Sequence, residues 1–141
     1  MRRPRLIRMR YLLIISHDGS LVPTGALVKG IGAWIRSMER RGIRIGGNPL
    51  RPPSDATTVR IRRGKALIAR GPFSRSREKM CAYELIECAS REEAVDAALR
   101  HPMAKAATIE VRPVWTELAG QRGFAETRSL DLRGDAEPIT E

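Results

Sequence analysis

Three groups of side chains in this sequence have types and spacings that could do chemistry. His17 and Asp18 are adjacent at the end of an apolar run. An imidazole beside a carboxylate is the raw material of an acid–base pair. Neighbours in an extended chain project to opposite sides, so the two need a turn to cooperate, and a polar turn is the plainer account. Glu84 lies within Cys81–Cys88, on the same face as Ala82, Ile86 and Cys88 if that segment is a strand. A carboxyl with apolar neighbours holds its proton more tightly than usual. Glu84 is therefore either a catalytic acid or half of an ion pair, with Arg112 as the partner on the last strand or across a subunit boundary. The third group is Arg70, Arg75 and Arg77 around Gly71-Pro72-Phe73. Guanidinium groups on one short loop can grip a carboxylate or phosphate bidentately, with Glu78 available to neutralise one of them. The plainer account is a solvated loop or an intersubunit salt bridge. The catalytic candidates are thus His17, Asp18 and Glu84, and the ligand-binding candidates are Arg70, Gly71, Pro72, Phe73, Arg75 and Arg112.

Other features point away from chemistry. His101 precedes Pro102 at a predicted helix end, where an imidazole suits the helix dipole and the proline stops the helix. Cys81 and Cys88 do not form a C-x-x-C pair and have no histidine nearby in sequence, so no metal and no cofactor are expected. On a straight strand the two thiols face opposite ways, roughly 23 Å apart, too far for a bridge. Unbridged thiols suit a reducing cytoplasm. No glycine-rich phosphate loop is present, and Gly30 and Gly32 fall inside a helical pattern.

The elements that must position these groups follow from periodicity. Residues 9–16 are apolar enough for a buried strand. Thr24 can cap a helix to about Arg41, with Leu27, Ile31, Trp34, Ile35 and Met38 along one stripe and Gly42 as its stop. A short strand at 43–46 precedes Gly46-Gly47-Asn48-Pro49 and an irregular Pro-rich stretch, 49–55. Thr57–Arg62 and Ala66–Ala69 form a hairpin about Arg63-Gly64. Cys81–Cys88 is a strand. Ser90 and Glu93 form a capping box for a helix over 91–100. Residues 108–115 form a last strand, with Pro113 at an edge or an end. This order fits a ferredoxin-like split βαβ sheet in the α+β class, with helices on one face only. The bare face needs cover, which predicts a homodimer.

The length suits one domain, 9–115, between a basic tail at 1–8 and a polar, irregular tail at 116–141. Either Met1 or Met9 can serve as the start. The first apolar run is too short to cross a bilayer and lacks the marks of a secretion signal, so no membrane role is expected. The net charge of +10 invites a nucleic-acid partner. However, the excess comes from 22 Arg against 4 Lys, much of which GC-rich coding alone could supply, and stacking aromatics are scarce. A nucleic acid is the less favoured partner.

Six short pieces carry a family resemblance. They are Tyr11-Leu12-Leu13-Ile14, Gly46-Gly47-Asn48-Pro49-Leu50, Ala56-Thr57-Thr58-Val59-Arg60, Arg70-Gly71-Pro72-Phe73, Ala82-Tyr83-Glu84-Leu85-Ile86 and Val111-Arg112-Pro113-Val114. In this order the chain resembles the DGPF branch of the YCII-related family over about 9–115. The resemblance implies a dimeric α+β barrel with two sheets around a cleft, and a link with transcription. The family loop reads Asp-Gly-Pro-Phe-x-Glu; here Arg70 and Arg75 replace both carboxylates. The YCII branch proper has a His on its first helix and an Asp before a Pro after its second. This chain has no His between 24 and 41 and reads His101-Pro102, so that dyad does not transfer. The expectation is a non-enzymatic, homodimeric small-molecule-binding or regulatory module, with a small anion as its ligand. The alternatives are an enzyme for a small anionic substrate held by Arg70 and Arg75 in the inter-sheet cleft, and a weak nucleic-acid binder.

Overall fold

The computed structural model describes residues 8–116. The elements run β1 (Met9–His17), α1 (Gly25–Arg40), β2 (Arg44–Pro49), a 3-10 turn (Pro53–Asp55), β3 (Thr57–Arg62), β4 (Lys65–Arg70), β5 (Lys79–Cys88), α2 (Arg91–Arg100), α3 (Met103–Ala106) and β6 (Thr108–Pro113). Four strands form one antiparallel sheet in the order β2-β5-β1-β6, and β3 and β4 form a separate two-stranded hairpin. This is the mixed α+β architecture read from the sequence, with the hairpin inserted between the second and third strands of the split βαβ unit.

Alternation on β1 sends Tyr11, Leu13 and Ile15 to the helix side, opposite Ile86, Glu84 and Ala82 of β5. Tyr11, Leu13, Ile86 and Cys88 are fully buried there against Trp34 and Met38 of α1 and Ala94, Ala97 and Ala98 of α2. Small alanines let α2 approach closely, and the Trp34 indole N–H donates to the Ala97 carbonyl at 2.9 Å, locking the helices together. The other face shows Leu12, Ile14, Tyr83 and Leu85, all partly exposed.

Several boundaries differ from the sequence expectation. β2 continues through Gly46-Gly47-Asn48 to Pro49, because β5 supplies a ladder partner for each. The Pro-rich stretch holds a 3-10 turn, and α3 forms after His101-Pro102. Arg8, assigned to the basic tail, is tied to the Gly42 and Glu87 carbonyls at 3.0 and 3.1 Å. The rest of that tail, and the polar tail beyond 116, lie outside the described residues. Among the described residues no helix is long and apolar enough to cross a membrane.

Candidate functional site

The apolar stripe of α1 does two jobs. Its C-terminal half, Trp34 and Met38, packs into the core. Leu27, Ile31 and Ile35 are only half-buried and line a cleft of about 600 Å³ against the sheet. The cause is side-chain volume. The core around Trp34 and Met38 holds Tyr11 and Ile86, whereas beside Ile15 and Glu84 the cleft floor carries the small Gly47, Cys81 and Ala82, which leave space unfilled. A volume of that size and apolar character suits a small molecule.

Glu84 is the buried charge of this cleft, 5% exposed. Its Oε2 accepts from Arg44 Nε at 2.7 Å. Arg44 also donates to Glu39 Oε1 at 3.0 Å and to the Gly47 carbonyl at 3.1 Å. Gly47 is required here, because a Cβ at that position would collide with the Glu84 carboxylate and stand 2.5 Å from the Tyr83 carbonyl. Burial raises the Glu84 carboxyl above its ordinary range, and Arg44 pulls it partly back. The partner is therefore Arg44 and not Arg112. Arg112 lies on the opposite face of the sheet, opposite Leu12, with Glu110 at 3.8 Å. Among the described residues the second oxygen of Glu84 accepts no hydrogen bond, yet no sealed side-chain polar atom is left without a partner. That oxygen therefore retains access to open space, and the cleft is the space that Glu84 lines.

His101 is also buried and lines the cleft. Its Nδ1 accepts from the Met103 N–H at 3.1 Å, which heads α3, and its ring meets Trp34 edge-to-face at 4.6 Å between centroids. Burial lowers its pKa to about 4. A neutral ring with Nδ1 accepting carries its proton on Nε2, and His101 lines the cleft together with Glu84. His101 thus does more than stop a helix.

His17 and Asp18 do not act on each other. The His17 Nδ1 accepts from the Gly19 N–H at 2.9 Å, and Asp18 accepts from the Ser20 N–H and hydroxyl. These bonds to Ser20 hold the Asp18 carboxyl below its ordinary range. Only His17 reaches the cleft. Cys81 reaches it too, contrary to the straight-strand expectation. The pairing of β1 with β5 slips between Ile15 and Ser16, leaving Cys81 as the extra residue of a β-bulge beside Ala82. Burial raises its thiol pKa, and Cys81 and Cys88 are both free. No cluster of potential metal ligands occurs among the described residues.

The arginine loop lies elsewhere. Arg70, Gly71, Pro72, Phe73 and Arg75 line a shallow pocket of about 250 Å³ at the hairpin root, together with Arg60. Gly71, at φ +97, donates to the Ala56 carbonyl and accepts from the Thr58 hydroxyl, which fixes the loop to β3. Pro72 and Phe73 also border a broader cleft of about 710 Å³ on the helix-free face, where Arg112 lies. That cleft contains Asp55, Glu78 and Glu110 as well, so it is no simple anion site. Glu78 accepts from Thr108 at 2.6 Å rather than neutralising Arg70 or Arg75. Sequence reasoning missed Arg44, Arg60 and the buried role of His101. Arg60 was recoverable from hairpin register; the other two depend on pairing and packing that no local pattern encodes.

A split βαβ sheet with helices on one face and an inserted hairpin defines an α+β domain of the ferredoxin-like type. The family comparison narrows this: the model for the YCII-related domain matches residues 9–117, and the chain belongs to that family. The chain is also similar to an uncharacterised protein of Rhizobium meliloti (strain 1021), at 36% identity over 65 residues. That match covers 45% of this chain and about half (52%) of the relative's length.

Proposed function

We propose that this YCII-related domain is a homodimeric module that binds a small molecule in the cleft between α1 and the sheet. The observation that carries this is the combination of an apolar cleft of about 600 Å³ with Glu84 and His101 in its walls. A mostly apolar body with a few fixed polar groups is the usual make-up of a ligand site. The ligand this fits is an apolar molecule with a hydrogen-bond donor for Glu84 and an acceptor for His101. Binding is favoured over catalysis because Arg44 already holds Glu84, and because His17 and Asp18 are each engaged within their own loop. On this reading the site is on the helix side of the sheet, away from Arg70 and Arg75.

The second subunit supplies cover. Leu12, Ile14, Tyr83 and Leu85 on the helix-free face, and Val59, Ile61 and Ile68 on one hairpin face, 57–66% exposed, form the apolar surface that a second copy would bury. Light scattering at micromolar concentration is expected to give twice 15.7 kDa; a monomer overturns the dimer. The unbridged thiols suit a reducing compartment, so we place the protein in the cytoplasm.

Nile red, a neutral apolar fluorophore, tests the cleft. The wild-type protein is expected to bind it with enhanced emission, and Ile31→Phe, which fills the cleft from α1, is expected to abolish binding without lowering the melting temperature. Equal binding by both proteins, or none by wild type, overturns the cleft as a ligand site.

A further inference from the structure

The net charge is not spread evenly. Between Ala56 and Arg77 there are seven basic side chains and no acidic one, against +10 for the whole chain. A base-composition bias toward arginine does not explain the absence of acids from this one segment. All seven (Arg60, Arg62, Arg63, Lys65, Arg70, Arg75 and Arg77) are exposed, and among the described residues none is in a salt bridge. Most of them stand on the β3–β4 hairpin, which has no ladder to the main sheet.

The hairpin tip is built against its own stability. Arg62 and Lys65 are direct cross-strand partners, and like charges placed opposite each other repel. Between them Arg63 holds φ +54, a conformation that favours glycine or asparagine. Folding alone favours neither arrangement, and a polyanion alongside would offset the charge repulsion. Register separates two faces: Thr57, Val59, Ile61, Ala66, Ile68 and Arg70 on one, and Thr58, Arg60, Arg62, Lys65, Leu67 and Ala69 on the other. The basic face stays free whether or not a second copy covers the apolar one. At the root, Arg60, Arg70 and Arg75 surround the pocket of about 250 Å³, which contains no acid.

We propose that the β3–β4 hairpin is a binding element for double-helical DNA. It grips backbone phosphates through Arg60, Arg62, Arg63 and Lys65, with Arg70 and Arg75 seating a further phosphate at the root. A two-stranded β-ribbon has the width of the B-DNA major groove. A ribbon lying on a membrane surface would be anchored by Trp or Tyr, and residues 57–70 contain no aromatic residue. The contacts are to phosphate, so binding is independent of base sequence and falls steeply with salt.

The test is fluorescence anisotropy of a short labelled duplex with the full chain, titrated with salt. Arg60→Gln/Arg62→Gln/Arg63→Gln is expected to weaken binding at least tenfold at low salt and to reduce the log–log salt slope by about 2–3. Arg36→Gln/Arg40→Gln/Arg41→Gln, which removes the same charge from α1 and its end, is expected to have little effect. Arg63→Asn relieves the turn, so it should melt higher yet bind severalfold more weakly. The proposal is overturned by absence of wild-type binding, equal loss in the two triple variants, unchanged binding by Arg63→Asn, or tighter binding to phosphatidylglycerol vesicles than to duplex.

Discussion

Arg44 Nε stands 2.7 Å from Glu84 Oε2 across the β2–β5 ladder, and both side chains are largely out of water. Removing one partner of such a pair leaves an uncompensated charge, which typically costs about 3–5 kcal/mol. Arg44→Met is expected to fall in that range, and Glu84→Gln, which can still accept from Arg44, much lower. The pH dependence has a definite sign. The folded state raises the Glu84 pKa above 4.5, so it binds the proton more tightly than the unfolded state does. Its contribution favours folding at low pH and is lost as pH rises above 4.5 through the folded value. Urea midpoints across that window should show wild type losing stability relative to Glu84→Gln; no difference in slope would refute the assignment.

His101 has the opposite sign. Its pKa falls from 6.5 to about 4 on folding, a difference worth about 3 kcal/mol. That contribution is complete above pH 6.5 and is lost as pH falls through about 4. His101→Asn offers a carbonyl oxygen to the Met103 N–H without a titrating ring. Denaturant midpoints between those two pH values should fall more steeply for wild type than for His101→Asn.

Gly47 and Gly46 are adjacent in β2 but differ in their surroundings. A Cβ on Gly47 meets the Glu84 carboxylate and the Tyr83 carbonyl, whereas a Cβ on Gly46 meets nothing within 4 Å. Gly47→Ala is expected to cost about 1–3 kcal/mol, as overpacked sites do, and Gly46→Ala to be near neutral. Thermal melts of the two variants decide this, and equal losses would mean that the fit around Glu84 is not tight.

Ser90 caps α2 by accepting from the Glu93 N–H at 3.2 Å, and Glu93 in return accepts from the Ala89 N–H at 3.3 Å, one residue ahead of the usual capping-box partner. Ser90→Ala is expected to cost about 1 kcal/mol. An unchanged denaturant midpoint would show that the cap contributes nothing measurable.

Where local pattern sets the structure, the sequence was readable. The stripe on α1, the Ser90 cap, the Arg63-Gly64 turn and Pro113 at the end of the edge strand β6 all lie where periodicity and turn chemistry place them. What was not readable depends on partners distant in the chain. β2 extends over two glycines because β5 completes its hydrogen bonds, and α3 forms where the buried His101 Nδ1 accepts the Met103 N–H. The bulge that leaves Cys81 beside Ala82 comes from a slip between paired strands. The candidate site suffered most, since Arg44 is forty residues from Glu84 and nothing in either segment marks the other.

The strand order bears on synthesis. β1 and β2 leave the ribosome first but are not neighbours in the sheet, because the place between them belongs to β5. Until residue 88 has emerged, β1 and β2 lack the strand that pairs with both, and the apolar β1 has unpaired edges. The β3–β4 hairpin can close meanwhile, because its pairs are local. The sheet cannot close before β5 is available, so the first half of the chain is the segment a cell must shield from aggregation, and the last strands complete it.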